Sequence, residues 1–168
     1  MAIGEQGGRE PSAMEFRLID RILELEPGQR ILAVKNLTLA EQYLHDHFPG
    51  FPVMPGVLML EAMIQAGAWL LRETLPEPKS IIRLRSVRAV RYGSFVRPGD
   101  QLVVAVELKK LADQAAQFSG KGKVNEAVAV SGRFALTAYN VADRRPELAE
   151  LDQNLLQCLR REYLRLTR

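Results

Sequence analysis

Glu61 is a candidate for chemistry because it lies within a predicted helix that is apolar on every side. Residues 57–73 have the pattern of a helix, and Glu61 and Gln65 are the polar side chains of its first half. Their spacing of four residues places both on one helix face. A carboxylate there must be paired, protonated or facing a cavity, because burying an isolated charge is costly. Glu61 is therefore a candidate general acid or base with Gln65 as its orienting partner, and the alternative is a solvated carboxylate near the helix start.

Two positions before this helix could take part in the same chemistry. His47 precedes a Phe-Pro-Gly turn that can hold an imidazole in a fixed place. Gly56 lies at the helix start, where N–H groups lack helical partners and the missing side chain lets a ligand approach. A carbonyl oxygen placed there would be polarised, as in an oxyanion hole. Taken singly, each position also has a plainer reading, as a solvated loop histidine and as an ordinary Pro-Gly helix start.

The elements that must position these residues are predicted from apolar periodicity and turn residues. Residues 42–56 are predicted to form a loop, and a Leu stripe at helical spacing predicts a second helix over 146–168. Strands are predicted at 30–39, 80–92, 101–111, 114–124 and 127–139, with a strand or short helix at 16–25. A helix that is apolar all round must be buried on all sides, so the antiparallel sheet has to curl around it. Open sheet edges in such a small domain favour pairing with a second copy.

Composition excludes several classes of protein. The chain has 168 residues, of which 47% are hydrophobic and 26% charged, a balance typical of one globular domain. Cys158 is the sole cysteine and there are two histidines, which excludes an intramolecular disulfide and argues against a Cys-cluster or multi-histidine metal site. Residues 1–13 are polar and Gly-rich rather than an apolar leader, and no apolar run is long enough to span a membrane. We therefore expect a cytoplasmic protein with a flexible segment at 1–13.

Charge is divided unevenly along the chain. Residues 1–78 contain 6 basic and 11 acidic side chains, whereas residues 79–168 contain 17 basic and 9 acidic ones. The stretch 79–97 has six basic side chains and no acidic one. It lacks the interleaved aromatic residues and the helix-turn-helix pattern of a nucleic-acid binder. The stretch is either an acidic-partner docking surface or a solvated strand face that acidic residues elsewhere balance.

The segment 47–65, HFPGFPVMPGVLMLEAMIQ, resembles the signature of the 3-hydroxyacyl-acyl-carrier-protein dehydratases of bacterial fatty-acid synthesis. The similarity extends to 18–28 and to the RPGDQL turn at 97–102, so that it covers about residues 16–140. It implies an α+β hot-dog fold, in which an antiparallel sheet wraps around a long central helix. The domain is then expected at 14–140, with an added C-terminal helical extension at 141–168.

The resemblance also implies a mechanism. Family members eliminate water from a (3R)-3-hydroxyacyl thioester to give a trans-2-enoyl thioester without a cofactor or metal. The matching positions are His47 for removal of the α-proton and Glu61 for protonating the leaving hydroxyl or holding the water. The implied substrate-binding residues are Phe48, Pro55, Gly56, Val57 and Gln65, among which the Gly56 N–H would bind the thioester carbonyl. Glu61, rather than aspartate, points to the branch that does not isomerise the product.

Partners follow from the same resemblance. The family pairs the histidine of one subunit with the carboxylate of the other, which implies a homodimer and, as a larger assembly, a trimer of dimers. The acidic acyl carrier protein would dock on Arg83, Arg85, Arg88, Arg91 and Arg97. Nucleic acid is not an expected partner, and no membrane span is expected.

Three alternatives stay open. Asp46 stands where the family has glycine, and together with the extra helix it allows a specialised lipid or polyketide dehydratase. A hot-dog acyl thioesterase and a non-catalytic hot-dog protein that binds acyl carriers are the other two.

Overall fold

A curved antiparallel sheet surrounds one long helix in the computed structural model, which describes residues 16–48, 50–112 and 115–168. The segment 1–13, expected to be flexible, lies outside the described residues. The elements in chain order are β1 (Arg21–Glu26), β2 (Arg30–Asn36), α1 (Tyr43–Asp46), α2 (Gly56–Thr74), β3 (Ile81–Tyr92), β4 (Gln101–Ala112), β5 (Ala115–Val124), β6 (Ala127–Tyr139) and α3 (Ala149–Leu166).

The six strands are arranged in the order β1-β2-β4-β5-β6-β3, and every neighbouring pair is antiparallel. Short turns connect most neighbours in sequence, as at Asn125, whose φ of 52° lies in the left-handed region. Strand β5 alternates between buried and accessible residues, as expected where one face meets a core. Strands β1 and β3 form the two edges, and β3 therefore has a ladder partner on one side within the described chain.

Helix α2 lies against the inner face of this sheet, which confirms the predicted hot-dog architecture. Two glycines allow the close approach of helix and strands. A Cβ on Gly67 would stand 2.7 Å from Cε2 of Phe134, and one on Gly120 would stand 3.0 Å from Sδ of Met63. The helix is not covered on all sides, however, because Val57 in its first turn is 66% exposed. The expectation of complete burial is therefore wrong for the first turn of this helix.

The segment 42–56 was expected to be a loop, and the structure corrects this over one turn. Helix α1 covers Tyr43–Asp46 and ends at His47, which adopts an extended conformation. A single helical turn is too short to display the apolar periodicity by which helices are recognised in sequence. The position of α1 matters for the site because His47 directly follows this helix and begins the connection to α2.

The chain after β6 forms two short 3-10 turns, Val141–Asp143 and Pro146–Leu148, before α3 begins. The expected helix over 146–168 thus starts three residues later, and its first turn is the tighter 3-10 form. Buried Asp152 fixes the start of α3, since its carboxylate accepts hydrogen bonds from the hydroxyl of Ser80 and from the N–H groups of Val141 and Ala142. These bonds join α3 to the beginning of β3.

Candidate active site

The first turn of α2 presents unpaired N–H groups at a fixed position. Met54, which is buried, donates its N–H to the carbonyl of Val96 at 2.9 Å and so ties the approach to the helix to the segment after β3. Pro55 precedes the helix and accepts the N–H of Leu58 at 2.9 Å. Within the described chain, the N–H groups of Gly56 and Val57 have no hydrogen-bond partner. A helix start of this kind can bind a carbonyl or another partial negative charge.

Tyr92 covers this helix start, and sequence reasoning did not identify it as a site residue. A Cβ on Gly56 would stand 3.0 Å from Cε1 of the Tyr92 ring, so the aromatic ring lies directly against the glycine backbone. Tyr92 is the last residue of β3 and remains 51% exposed. In the sequence Tyr92 is one of several aromatic residues and lies at a predicted strand end. No motif or spacing in the sequence connects it with Gly56.

His47 is half-buried and its ring packs on that of Phe48, with centroids 4.4 Å apart. Phe48 has a φ of 51°, an uncommon value for a bulky residue. Its carbonyl accepts the N–H of Phe51 at 2.8 Å, which closes the turn that the sequence predicted after the histidine. This turn lies between His47 and α2 and restrains the position of the His47 side chain. Neighbouring His45 is exposed, as expected for a histidine without such surroundings.

Glu61 is half-buried on α2 and is held by Gln65 one turn later. The Nε2 group of Gln65 donates to Oε1 of Glu61 at 3.1 Å and to the carbonyl of Phe16 at 3.0 Å. The amide oxygen of Gln65 accepts the N–H of Leu18 at 3.0 Å. The structure therefore contains the Gln65–Glu61 pair that was inferred from their spacing, and it adds the N-terminal segment that orients the amide.

One chain does not bring the two candidate catalytic residues into contact. Glu61 forms its bond with Gln65, His47 packs on Phe48, and no hydrogen bond or ion pair joins His47 to Glu61 among the described residues. Of the expected substrate-binding positions, Pro55 is half-buried beside Gly56, whereas Phe48 and Val57 are exposed by 60% and 66%. In the described chain, His47 and Glu61 thus belong to two groups of candidate residues that no hydrogen bond or ion pair joins, and the exposed side chains of Phe48 and Val57 lie beside these groups in the sequence.

The arginines expected to dock a carrier divide into two locations. Arg83, Arg88 and Arg91 extend from β3 opposite Thr137, Arg133 and Ser131, and they point away from the face that α2 covers. Arg88 and Arg91 line an open groove of about 850 Å³ there. The groove also contains the basic residues Lys109, Lys121 and Arg133, which lie on other strands and were missed because sheet pairing brings them together. Arg85 is exposed on β3.

Arg97 lies apart from this groove, near the candidate site. Its guanidinium stands 5.3 Å from the centroid of the Phe51 ring, which also meets the Phe95 ring edge-on at 5.5 Å. The segment 47–51 and the segment after β3 are therefore joined by aromatic and cation–π contacts as well as by the Met54–Val96 hydrogen bond. Nowhere in the described ranges is a helix long and apolar enough to cross a membrane.

Solved structures confirm the fold of this chain. The dehydratase heterocomplex ApeI:P from Xenorhabdus doucetiae superimposes with a TM-score of 0.60 at 19% identity, over 80% of this chain and 88% of that one. A variant of the phenylacetic acid degradation protein PaaI from Thermus thermophilus gives a TM-score of 0.54 at 12% identity, over 70% and 90% of the two chains. At these identities the similarity shows the hot-dog architecture alone.

Sequence relatives are much closer. The family described as the FabA-like domain matches residues 10–136. The 3-hydroxyacyl-acyl-carrier-protein dehydratase FabZ of a Polaromonas species is 42% identical over 135 residues, which cover 79% of this chain and 93% of that protein. FabZ of Desulfotalea psychrophila is 43% identical over 126 residues, covering 74% and 84%. The chain therefore belongs to the FabA-like family of hydro-lyase enzymes, in which these relatives are 3-hydroxyacyl-acyl-carrier-protein dehydratases.

Proposed function

We propose that this protein removes water from (3R)-3-hydroxyacyl chains on acyl carrier protein, giving trans-2-enoyl chains in cytoplasmic fatty-acid synthesis. The main support for the proposal is the arrangement at the first turn of α2, where the unpaired N–H groups of Gly56 and Val57 lie about one turn before Glu61. The identity of about 40% to several dehydratases over most of their length supports the same reaction.

The proposed chemistry begins at the carbon next to the thioester carbonyl. His47 removes a proton from this carbon, and negative charge develops on the thioester oxygen, which the N–H of Gly56 stabilises. Loss of one such donor typically lowers the rate by roughly 10² to 10³. Glu61 donates a proton to the 3-hydroxyl group, the C3–O bond breaks, and water leaves as the C2–C3 double bond forms. The proton gained by His47 balances the proton lost by Glu61, so that no cofactor is needed.

We propose that a second copy completes the site, with His47 of one chain facing Glu61 of the other. Edge strand β3 supports this arrangement, because its outer side lacks a ladder partner in the described chain. The apolar residues exposed near this edge and the start of α2 support it as well: Leu84, Tyr92, Phe95, Val57 and Val128. A trimer of such dimers is the larger assembly that we expect. The molar mass in solution, measured by light scattering, distinguishes monomer, dimer and hexamer.

We further propose that the exposed arginines dock the acidic carrier protein. The open outer-face groove with Arg88 and Arg91, and Arg97 beside the loop after His47, supply positive charge on both sides of the β3 end. Replacing Arg88 and Arg91 by glutamate should raise KM for a carrier-bound substrate by about tenfold or more. KM for the corresponding pantetheine thioester should stay unchanged, and an equal rise for both substrates would contradict docking.

The reaction is tested with purified protein by following the hydration of an enoyl thioester, or the reverse dehydration, spectroscopically. His47→Ala and Glu61→Gln should each lower kcat by roughly 10² to 10⁴, since each removes one partner of the acid–base pair. His45→Ala and Glu77→Gln are matched controls, because both residues are exposed and lie outside the site. Full activity in either site variant would refute the mechanism. Release of free thiol without enoyl turnover would identify a thioesterase, and no turnover by the unaltered protein would leave a binding role.

A further inference from the structure

Helix α3 contacts α2, although it lies beyond residues 10–136 that match the family. The ring of Tyr163 lies 5.8 Å from that of Trp69, which is buried on α2. Leu166 near the end of α3 is 5% exposed and belongs to the main apolar core. Because Trp69 is the only tryptophan in the sequence, tryptophan fluorescence reports on the surroundings of this residue, which include Tyr163.

An acidic residue of α3 is buried where this helix meets the chain before β1. Glu162 is 8% exposed, and its carboxylate forms ion pairs with Arg17 at 3.0 Å and with Arg165 on the next helical turn. Arg165 is largely exposed, as is usual for a pair on a helix surface. The Arg17 contact is different, because it links α3 to a segment more than a hundred residues earlier.

Arg17 lies between the two residues that orient the amide of Gln65. The carbonyl of Phe16 accepts from Nε2 of Gln65, and the N–H of Leu18 donates to its Oε1, both at 3.0 Å. These bonds determine which end of the amide is oxygen and which is nitrogen, since a backbone carbonyl needs a donor and an N–H needs an acceptor. The remaining N–H of the amide then points to Glu61. The position of segment 16–18 therefore sets the direction from which Glu61 receives its hydrogen bond.

The same segment also touches the element that leads to His47. The ring of Phe16 meets that of Tyr43 edge-on, with centroids 6.0 Å apart and planes at 67°. Tyr43 is the first residue of α1, which ends at His47. Burial, with a contribution from the nearby Glu41 carboxylate, raises the pKa of the Tyr43 phenol, as expected for a side chain enclosed by neighbouring elements.

We propose that Glu162 is a positioning residue for the reaction: by holding Arg17 it fixes segment 16–18 and, through Gln65, the orientation of Glu61. This inference rests on the proposed function, because it assigns Glu61 a part in the chemistry. It gives the added helix α3 a role in the site although α3 contacts neither Glu61 nor His47 in the described chain. A purely structural ion pair would contribute to stability and leave the rate and its pH dependence unchanged.

The experiment compares Glu162→Gln, which keeps the side-chain size, with Glu150→Gln, an exposed control on the same helix. Arg17→Gln and the double variant complete a double-mutant cycle. We expect kcat of Glu162→Gln to fall about tenfold with little change in KM, and the pH profile of kcat to shift, because Glu61 must be protonated to act as the acid. The double variant should lose no more than the more affected single one. Trp69 fluorescence should stay as in the parent, showing that α3 remains docked.

Several results would overturn the proposal. An unchanged kcat and pH profile in Glu162→Gln would do so, as would losses in the two single variants that simply multiply in the double variant. A fall in kcat that occurs only together with altered Trp69 fluorescence would assign Glu162 a structural role instead. Measuring Glu61→Gln in parallel distinguishes a failure of the proposed function from a failure of the positioning role. If Glu61→Gln is fully active, the proposed function itself fails, whereas an inactive Glu61→Gln beside a fully active Glu162→Gln removes only the positioning role.

Discussion

Lys35 on β2 has a buried ammonium group between two carboxylates. The side chain is 7% exposed, and its Nζ lies 2.7 Å from Oε1 of Glu41 and 3.3 Å from Oδ1 of Asp20. The second oxygen of Asp20 accepts the N–H of Asn36 at 2.6 Å. This cluster joins the chain before β1 to the turn that leads into α1. Substitution Lys35→Met keeps the length and apolar character of the stem and removes the charge, which leaves both carboxylates without their cation.

The expected loss of stability follows from the exposure of the partners. Removing one member of a buried ion pair typically costs about 3–5 kcal/mol. The side chains of Asp20 and Glu41 are 34% and 19% exposed, so water solvates part of the charge that remains. We therefore expect Lys35→Met to lower the free energy of unfolding by about 2–3 kcal/mol. With a urea slope of about 2 kcal/mol per molar, the midpoint should decrease by roughly 1–1.5 M.

The measurement is equilibrium unfolding in urea followed by circular dichroism, at matched protein concentration because subunit association would add to apparent stability. Lys110→Met is the control, since Lys110 is an exposed lysine on β4. Its midpoint should stay within about 0.3 M of the parent protein. A decrease for Lys35→Met no larger than that of the control would refute the reasoning that this ammonium is required by its two carboxylates.

Three further predictions concern glycines and pH. Gly56→Ala should reduce kcat/KM about tenfold or more, because a Cβ at the helix start hinders the approach of a carbonyl to the N–H groups. It should change stability by less than about 1 kcal/mol, because the half-exposed Tyr92 ring can move away from the new Cβ. Gly67→Ala should lower Tm by several degrees, because its Cβ would stand 2.7 Å from a buried ring, that of Phe134, and overpacking costs about 1–3 kcal/mol. Burial acts to raise the pKa of Asp152, but the three hydrogen bonds outweigh burial and hold this pKa below its ordinary value. The stability from these bonds is therefore present above the ordinary pKa and is lost as pH falls through the lowered one, so acid unfolding of Asp152→Asn should lack that part of the slope.

The sequence was sufficient for most of the fold because apolar periodicity and turn residues agree over long stretches. The helix predicted at 57–73 is α2 at Gly56–Thr74, and the strand predicted at 127–139 is β6 at Ala127–Tyr139. The same reasoning missed α1, since one helical turn contains no repeat. It also placed the start of α3 too early, because the Pro146 signal marks a 3-10 turn rather than the helix itself.

For the candidate site, local sequence predicted the contacts within one element and missed those between elements. The Glu61–Gln65 hydrogen bond follows from helical spacing alone. The contact of Tyr92 with Gly56 depends on where β3 ends relative to α2, which no window of sequence contains. The link from Glu162 to Arg17 spans most of the chain and could be found only in three dimensions. The assignment of His47 stays a prediction, because its partner would belong to another chain.

Several local costs lie at the start of α2, beside the candidate site. Phe48 adopts a left-handed φ, which costs on the order of 1–3 kcal/mol for a non-glycine residue. Val57 exposes 66% of an apolar side chain, and its N–H, like that of Gly56, lacks a partner in the described chain. Farther along the same helix, Ala66 and Leu70 are fully buried and local rules agree with the structure. These costs are compatible with a site that binds a carbonyl, because such a site needs an accessible helix start and a fixed turn beside it.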